Sequence, residues 1–144
     1  MFRTIDTHFL AAPQISVDDV ATAAAQGVKL IVNNRPDGEE PSAPQGNEIA
    51  AAAAAHGIAY VAIPVTHAGF SHPQIDAMAA AMEQAGDGTI LAYCRSGTRS
   101  TNLWALTRAR LGDDVDTLCS KAAAQGYDLS AIRPTLDALS AGAQ

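Results

Sequence analysis

Only two cysteines occur in the chain, Cys94 and Cys119, so no disulfide framework can staple it. No cysteine–histidine spacing resembles a zinc site either. Long hydrophobic runs are missing as well. The longest, Ile49–Ala55 and Ile58–Ile63, fall far short of the ~20 residues that cross a bilayer. The opening MFRTIDTHFL places Asp6 and His8 where a signal peptide needs its apolar stretch. Basic residues are few: Lys and Arg number 9 against 15 Asp and Glu, a net charge of −6 that argues against nucleic-acid or anionic-membrane partners. No repeat, low-complexity tail or interdomain linker is visible. The expectation is one cytoplasmic domain over residues 1–144, with no metal and no cofactor, its oligomeric state left open.

What the chain does have is alanine. Of 144 residues 48% are hydrophobic, but 31 are Ala, which leaves enough larger apolar side chains for one compact core. Charge is unevenly spread. Between Gly88 and Gly112 there is no Asp or Glu, yet Arg95, Arg99, Arg108 and Arg110 all fall there. An acidic chain that concentrates its arginines in one stretch points to a small anion site.

Short β-like runs alternate with helical stretches, the signature of an α/β layered fold. Arg3–Asp6 and Phe9–Ala12 read as strands. Ser16 caps a helix over Val17–Gln26 that Gly27 stops. Val28–Asn33 reads as a buried strand. The irregular run Asn34–Gly46 (NRPDGEEPSAPQG) then carries three Pro and two Gly, and compact domains seldom keep so long a loop without a use for it. A helix over Asn47–His56, a strand over Ile58–Ile63 and a second loop, Pro64–Ser71, follow. Pro73 suits the first turn of a helix with Ile75, Met78, Ala79 and Met82 on its apolar stripe. Thr89–Tyr93 is a strand ending at Cys94, and a helix runs from about Arg99 to Leu111. Val115, Leu118, Cys119 and Ala122 mark another helix, which makes Cys119 a packing residue. Leu129, Ile132, Leu136 and Leu139 mark the last, with Pro134 in or near its first turns.

The chemistry is expected in Tyr93-Cys94-Arg95-Ser96-Gly97-Thr98-Arg99-Ser100. A tight loop feeding a helix N-terminus aims backbone N–H groups at one spot, where the helix dipole also favours negative charge. Gly97 permits the close approach or positive φ that such a loop demands. Arg99 adds a guanidinium fork suited to two phosphate oxygens. The same field favours the thiolate of Cys94 as a nucleophile, and Ser100 is placed to donate a hydrogen bond to its sulfur. Arg95, Ser96, Gly97, Thr98 and Arg99 form the expected oxyanion-binding set, and Cys94, Arg99 and Ser100 the catalytic one.

These residues resemble the cysteine-dependent phosphatase superfamily, whose active-site loop is Cys-x5-Arg-Ser/Thr. CRSGTRS at 94–100, VNNRPDGEE at 32–40 and IPV at 63–65 more closely resemble the small bacterial family called beta-lactamase hydrolase-like, phosphatase-like domain, which some describe as a sulfur transferase family. The resemblance covers most of the chain. It implies a dual-specificity-phosphatase-like α/β fold, a central mostly parallel sheet of four to five strands flanked by helices. It also implies Cys94 as the nucleophile and a Cys-x5-Arg cradle over Arg95–Ser100.

One departure stands out. The superfamily takes an Asp general acid from the loop that here is Pro64–Ser71, and this loop has no Asp or Glu. His67 and His72 are candidate acids near neutral pH, as are Asp37, Glu39 and Glu40 if the long loop folds over the site. Arg35 either positions that loop through its acids or meets the substrate. Three functions therefore stay open. The first is a phosphatase forming a cysteinyl-phosphate from a phosphorylated small molecule or phosphoprotein. The second is a rhodanese-like sulfurtransferase carrying a persulfide on Cys94 between a sulfur donor and acceptor. The third is a weakly catalytic module that recognises phosphorylated partners. A Cys-x5-Arg cradle, suited to a tetrahedral oxyanion, favours the first; the missing Asp favours the others.

Overall fold

After the half-buried Thr89, the run Ile90–Tyr93 is fully buried, with no face in water. Thr89–Tyr93 forms β5, the middle strand of a five-stranded sheet ordered β1-β2-β5-β3-β4, in a computed structural model that describes residues 2–66 and 69–143. The other strands are β1 (Arg3–Asp6), β2 (Phe9–Ala12), β3 (Val28–Asn33) and β4 (Ala59–Ala62). β5 pairs in parallel with β2 and β3, β3 pairs in parallel with β4, and only the β1–β2 edge is antiparallel. The expected α/β architecture with a mostly parallel sheet is the one observed.

Alternation along β5 divides the core in two. Ile90 and Ala92 point into one cluster, Leu91 and Tyr93 into the other. The second cluster is closed by α1 (Val17–Ala25) through Val20 and Ala23, and by α2 (Gly46–Ala55) through Ile49 and Ala53. The first is closed by α3 (His72–Ala85), α4 (Thr98–Arg110), α5 (Val115–Ala124) and α6 (Arg133–Gly142). Parallel strands covered on both faces read as continuous apolar runs, which is why β3 and β5 are legible in the sequence. Among the described residues no helix is long and apolar enough to cross a membrane.

α4 is the element that fixes the site. Eight of its residues are buried, Trp104 among them, stacked on Phe9 with ring centroids 5.7 Å apart. Its buried threonines satisfy themselves within the helix: Thr101 Oγ1 donates to the Gly97 carbonyl at 2.9 Å and Thr107 Oγ1 to that of Leu103 at 2.8 Å. A helix so enclosed holds its N-terminus rigidly against the end of β5.

Element ends differ from expectation by a residue or so, for local reasons. α2 begins at Gly46 rather than Asn47, because Asp37 Oδ1 accepts the Gly46 N–H at 2.9 Å and Glu48 closes back on the Gln45 N–H at 2.7 Å. β4 starts at Ala59 because the Ile58 N–H is spent on the Ala53 carbonyl at the end of α2. Cys119 packs at the edge of the core, as its helical stripe requires.

Candidate active site

β3, β4 and β5 run parallel, so their carboxyl ends lie on one side of the sheet, where α/β folds place their ligand sites. Cys94 follows β5 directly and is fully buried; its N–H is tied to the Ala12 carbonyl at 3.3 Å. The chain then turns through Arg95 and Ser96, both exposed, to Gly97, which stands at the start of α4 with φ +91°. Two contacts from outside the loop hold the turn: Tyr127 OH donates to the Ser96 carbonyl at 3.1 Å, and the Gln14 N–H to that of Arg95 at 3.4 Å. The Gly97 N–H donates to Cys94 Sγ at 3.1 Å. The loop is thus wound about the sulfur itself.

Counting through this turn corrects one expectation. Residues 95–98 are four, so the cradle from Cys94 to Arg99 is Cys-x4-Arg, one residue shorter than the superfamily's Cys-x5-Arg. The sequence already contained this.

Arg99 sits in the first turn of α4 and faces the sulfur, but its fork is taken. Nη1 and Nη2 donate to Glu39 Oε2 and Oε1 at 2.9 and 2.7 Å, and Nη1 also donates to the Val65 carbonyl at 2.7 Å. Its positive charge is favoured first by Glu39 and further by Cys94. Ser100 is wholly buried, and among the described residues its hydroxyl has no partner, so the expected bond to the sulfur is not formed.

Glu39 also takes the Arg35 Nε at 2.8 Å, while Arg35 Nη1 and Nη2 go to Gln14 and Glu40 at 2.9 and 2.8 Å. Arg35 is therefore the buried anchor of the long loop. Its contacts with Glu39 and Glu40 are those of the loop-positioning role. Arg99 first, and then Arg35, hold the Glu39 carboxyl at about 2, far below the 4.5 of an ordinary glutamate. Stability from Glu39 is therefore full above pH ~4.5 and lost as pH falls through about 2. Glu39→Gln is expected to flatten that acid limb of an unfolding curve. An unchanged limb would show that the pairs carry no net stability.

Of the candidate general acids, Glu40 is held below the carboxylate range by Arg35, and so keeps no proton near neutrality. Asp37 caps the start of α2 through the Gly46 N–H. His72 opens α3 and is exposed. His67 lies outside the described residues. The two residues the sequence least advertised are Tyr127, which carries no motif, and Glu39, one of several acids in a loop, whose reach to Arg99 depends on the fold of residues 34–45.

The family model for "Beta-lactamase hydrolase-like protein, phosphatase-like domain" matches residues 1–111. A curated relative from Agrobacterium fabrum, named beta-lactamase hydrolase-like protein, is 34% identical over an alignment of 141 positions that covers 95% of this chain and 32% of the relative. A relative of the same name from Xylella fastidiosa is also 34% identical, over 87% of this chain and 29% of the relative. The chain thus spans about a third of the length of these relatives. Among solved structures, a candidate phosphatase from Neisseria meningitidis superposes with a TM-score of 0.79 at 32% identity, covering 94% of this chain and 96% of the other. A mouse protein described as a candidate dual-specificity phosphatase superposes at 0.69 with 20% identity, covering 97% and 86%, a likeness of fold alone. With its sheet, its Cys94 loop and the match over residues 1–111, the chain belongs to the beta-lactamase hydrolase-like, phosphatase-like domain family.

Proposed function

We propose that this phosphatase-like fold serves sulfur transfer, with Cys94 carrying a persulfide. The observation that carries the reading is the size of the cradle: four residues close on Sγ, with the Gly97 N–H at 3.1 Å. A phosphoryl group must seat three oxygens around its phosphorus, whereas a persulfide adds one sulfur atom. The shorter loop suits the smaller guest. The Cys94 thiolate attacks the outer sulfur of a donor, the donor's S–S bond breaks, and the donor's thiolate or sulfite leaves with the electron pair. An acceptor thiolate then attacks the outer sulfur of the Cys94 persulfide, which returns Cys94 as thiolate and leaves the acceptor persulfidated. Neither leaving group needs a proton near neutral pH, which agrees with the lack of Asp and Glu from Pro64 to Ser71.

Phosphate-ester hydrolysis is the second reading, favoured by the family and by the fold shared with dual-specificity phosphatases. One experiment separates them. The protein is incubated with a low-molecular-weight organic persulfide, with thiosulfate, or with an aryl phosphate, and Cys94 is read by mass spectrometry. The expected result is one added sulfur on Cys94 that a thiol acceptor removes, with no phosphoryl adduct and no turnover of the ester. A phosphoryl adduct with ester turnover, and no added sulfur, would overturn the proposal. Absence of any adduct from all three, with phosphopeptide binding, would overturn it in favour of a recognition module.

A further inference from the structure

Glu39 lies in the loop after β3, yet its carboxylate ends on the first turn of α4. It presents two oxygens to both arms of Arg99, at 2.9 and 2.7 Å, and is held from behind by the Arg35 Nε at 2.8 Å. Arg35 cannot easily retreat, being only 7% exposed and fixed by Gln14 and Glu40. A carboxylate and the face of a tetrahedral oxyanion offer a guanidinium fork the same pair of oxygens. The two therefore compete for one place.

We infer that Glu39 is a specificity-determining residue, an internal carboxylate that occupies the oxyanion seat of Arg99 and sets the Cys94 site against phosphoryl and sulfonate groups. The inference rests on the sulfur-transfer reading for its substrate class and deepens it: the donor is an organic persulfide, whose leaving group is a thiolate, in preference to thiosulfate, whose leaving group carries three oxygens. Two features of the site agree with this. The negative charge of Glu39 lies on Arg99 beside Cys94, where it repels an anionic donor. The Val65 carbonyl takes a further Arg99 proton, so displacing Glu39 alone does not free the whole guanidinium.

The test compares wild type with Glu39→Gln, and with Glu39→Asp, which keeps the charge but shortens its reach by one methylene. The first readout is the ratio of Cys94 loading rates, thiosulfate over organic persulfide. The second is the affinity for inorganic tungstate, read as protection of Cys94 from alkylation. Glu39→Gln is expected to raise the ratio about tenfold and tighten tungstate about tenfold, with Glu39→Asp moving both in the same direction. An unchanged or lower ratio, with tungstate no tighter in either variant, would overturn the inference and leave the sulfur reading standing. Should wild type take sulfur from neither donor, the sulfur reading fails by itself. The tungstate arm then decides whether Glu39 guards the oxyanion seat. A variant that fails to fold leaves the other to decide.

Discussion

Cys94→Ser is expected to abolish covalent loading and turnover, by on the order of 10³-fold or more, with the fold unchanged. The side chain is fully buried at the end of β5, and its sulfur receives the Gly97 N–H at 3.1 Å. A serine hydroxyl fits that space and can accept the same bond, so folding loses little. Chemistry loses nearly everything, because an alkoxide is not formed near neutral pH and an oxygen cannot serve as a sulfur carrier. Cys119→Ser is the contrasting variant. Cys119 packs against the core cluster and borders the Arg133 guanidinium, so its loss should lower the melting temperature while most activity remains. Loading measured by mass spectrometry and melting by circular dichroism check both. If Cys94→Ser retains turnover, Cys94 is not the nucleophile; if Cys119→Ser loses it while still folded, Cys119 is more than a packing residue.

Gly97→Ala is expected to be the most damaging single methyl in the molecule. Gly97 has φ +91°, where a Cβ costs about 1–2 kcal/mol, and a Cβ placed there would meet Tyr127 OH at 2.2 Å and Cζ at 3.0 Å. Strain and clash together should cost about 3 kcal/mol, roughly 6–12 °C in melting temperature for a domain of this size. Activity should fall with it, since the Gly97 N–H is the donor that meets the sulfur. The clash is separable from the strain. Tyr127→Phe removes the hydroxyl, at the cost of its bond to the Ser96 carbonyl. On its own it should cost about 1 kcal/mol. Combined with Gly97→Ala it should destabilise by less than the sum of the two singles, while the positive-φ penalty persists. A double mutant that is strictly additive would mean Tyr127 swings aside and does not brace the loop. A Gly97→Ala protein that melts and loads sulfur like wild type would show the cradle to be pliant.

The sequence by itself determined the layers of the fold and the place of Cys94 at the end of β5. Apart from the exposed Lys29, β3 is buried, as β5 is after Thr89, so both show as short apolar runs bounded by glycine. Ser16 and Asp19 form their reciprocal cap within four residues, and Gly27 takes the positive φ that stops α1, all local chemistry. Cys94 and Gly97 are legible for the same reason: the end of a strand, a glycine and the start of a helix are neighbours in the chain. The loop length was equally legible, and is one residue short of the pattern the resemblance suggested.

Tertiary structure alone decided who meets Arg99. Glu39 is 60 positions away along the chain, and it reaches the fork only because β3 and β5 lie side by side and end at the same level. Three acids in one loop look equivalent in sequence. Burial of Arg35 beneath that loop turns Glu39 towards Arg99, spends Glu40 on Arg35, and leaves Asp37 to cap α2. Tyr127 braces Ser96 across 31 positions, which no local pattern can announce. Long-range ion pairs and braces depend on where the sheet delivers its loops. That is a property of packing, and the spacing of residues along the chain does not encode it.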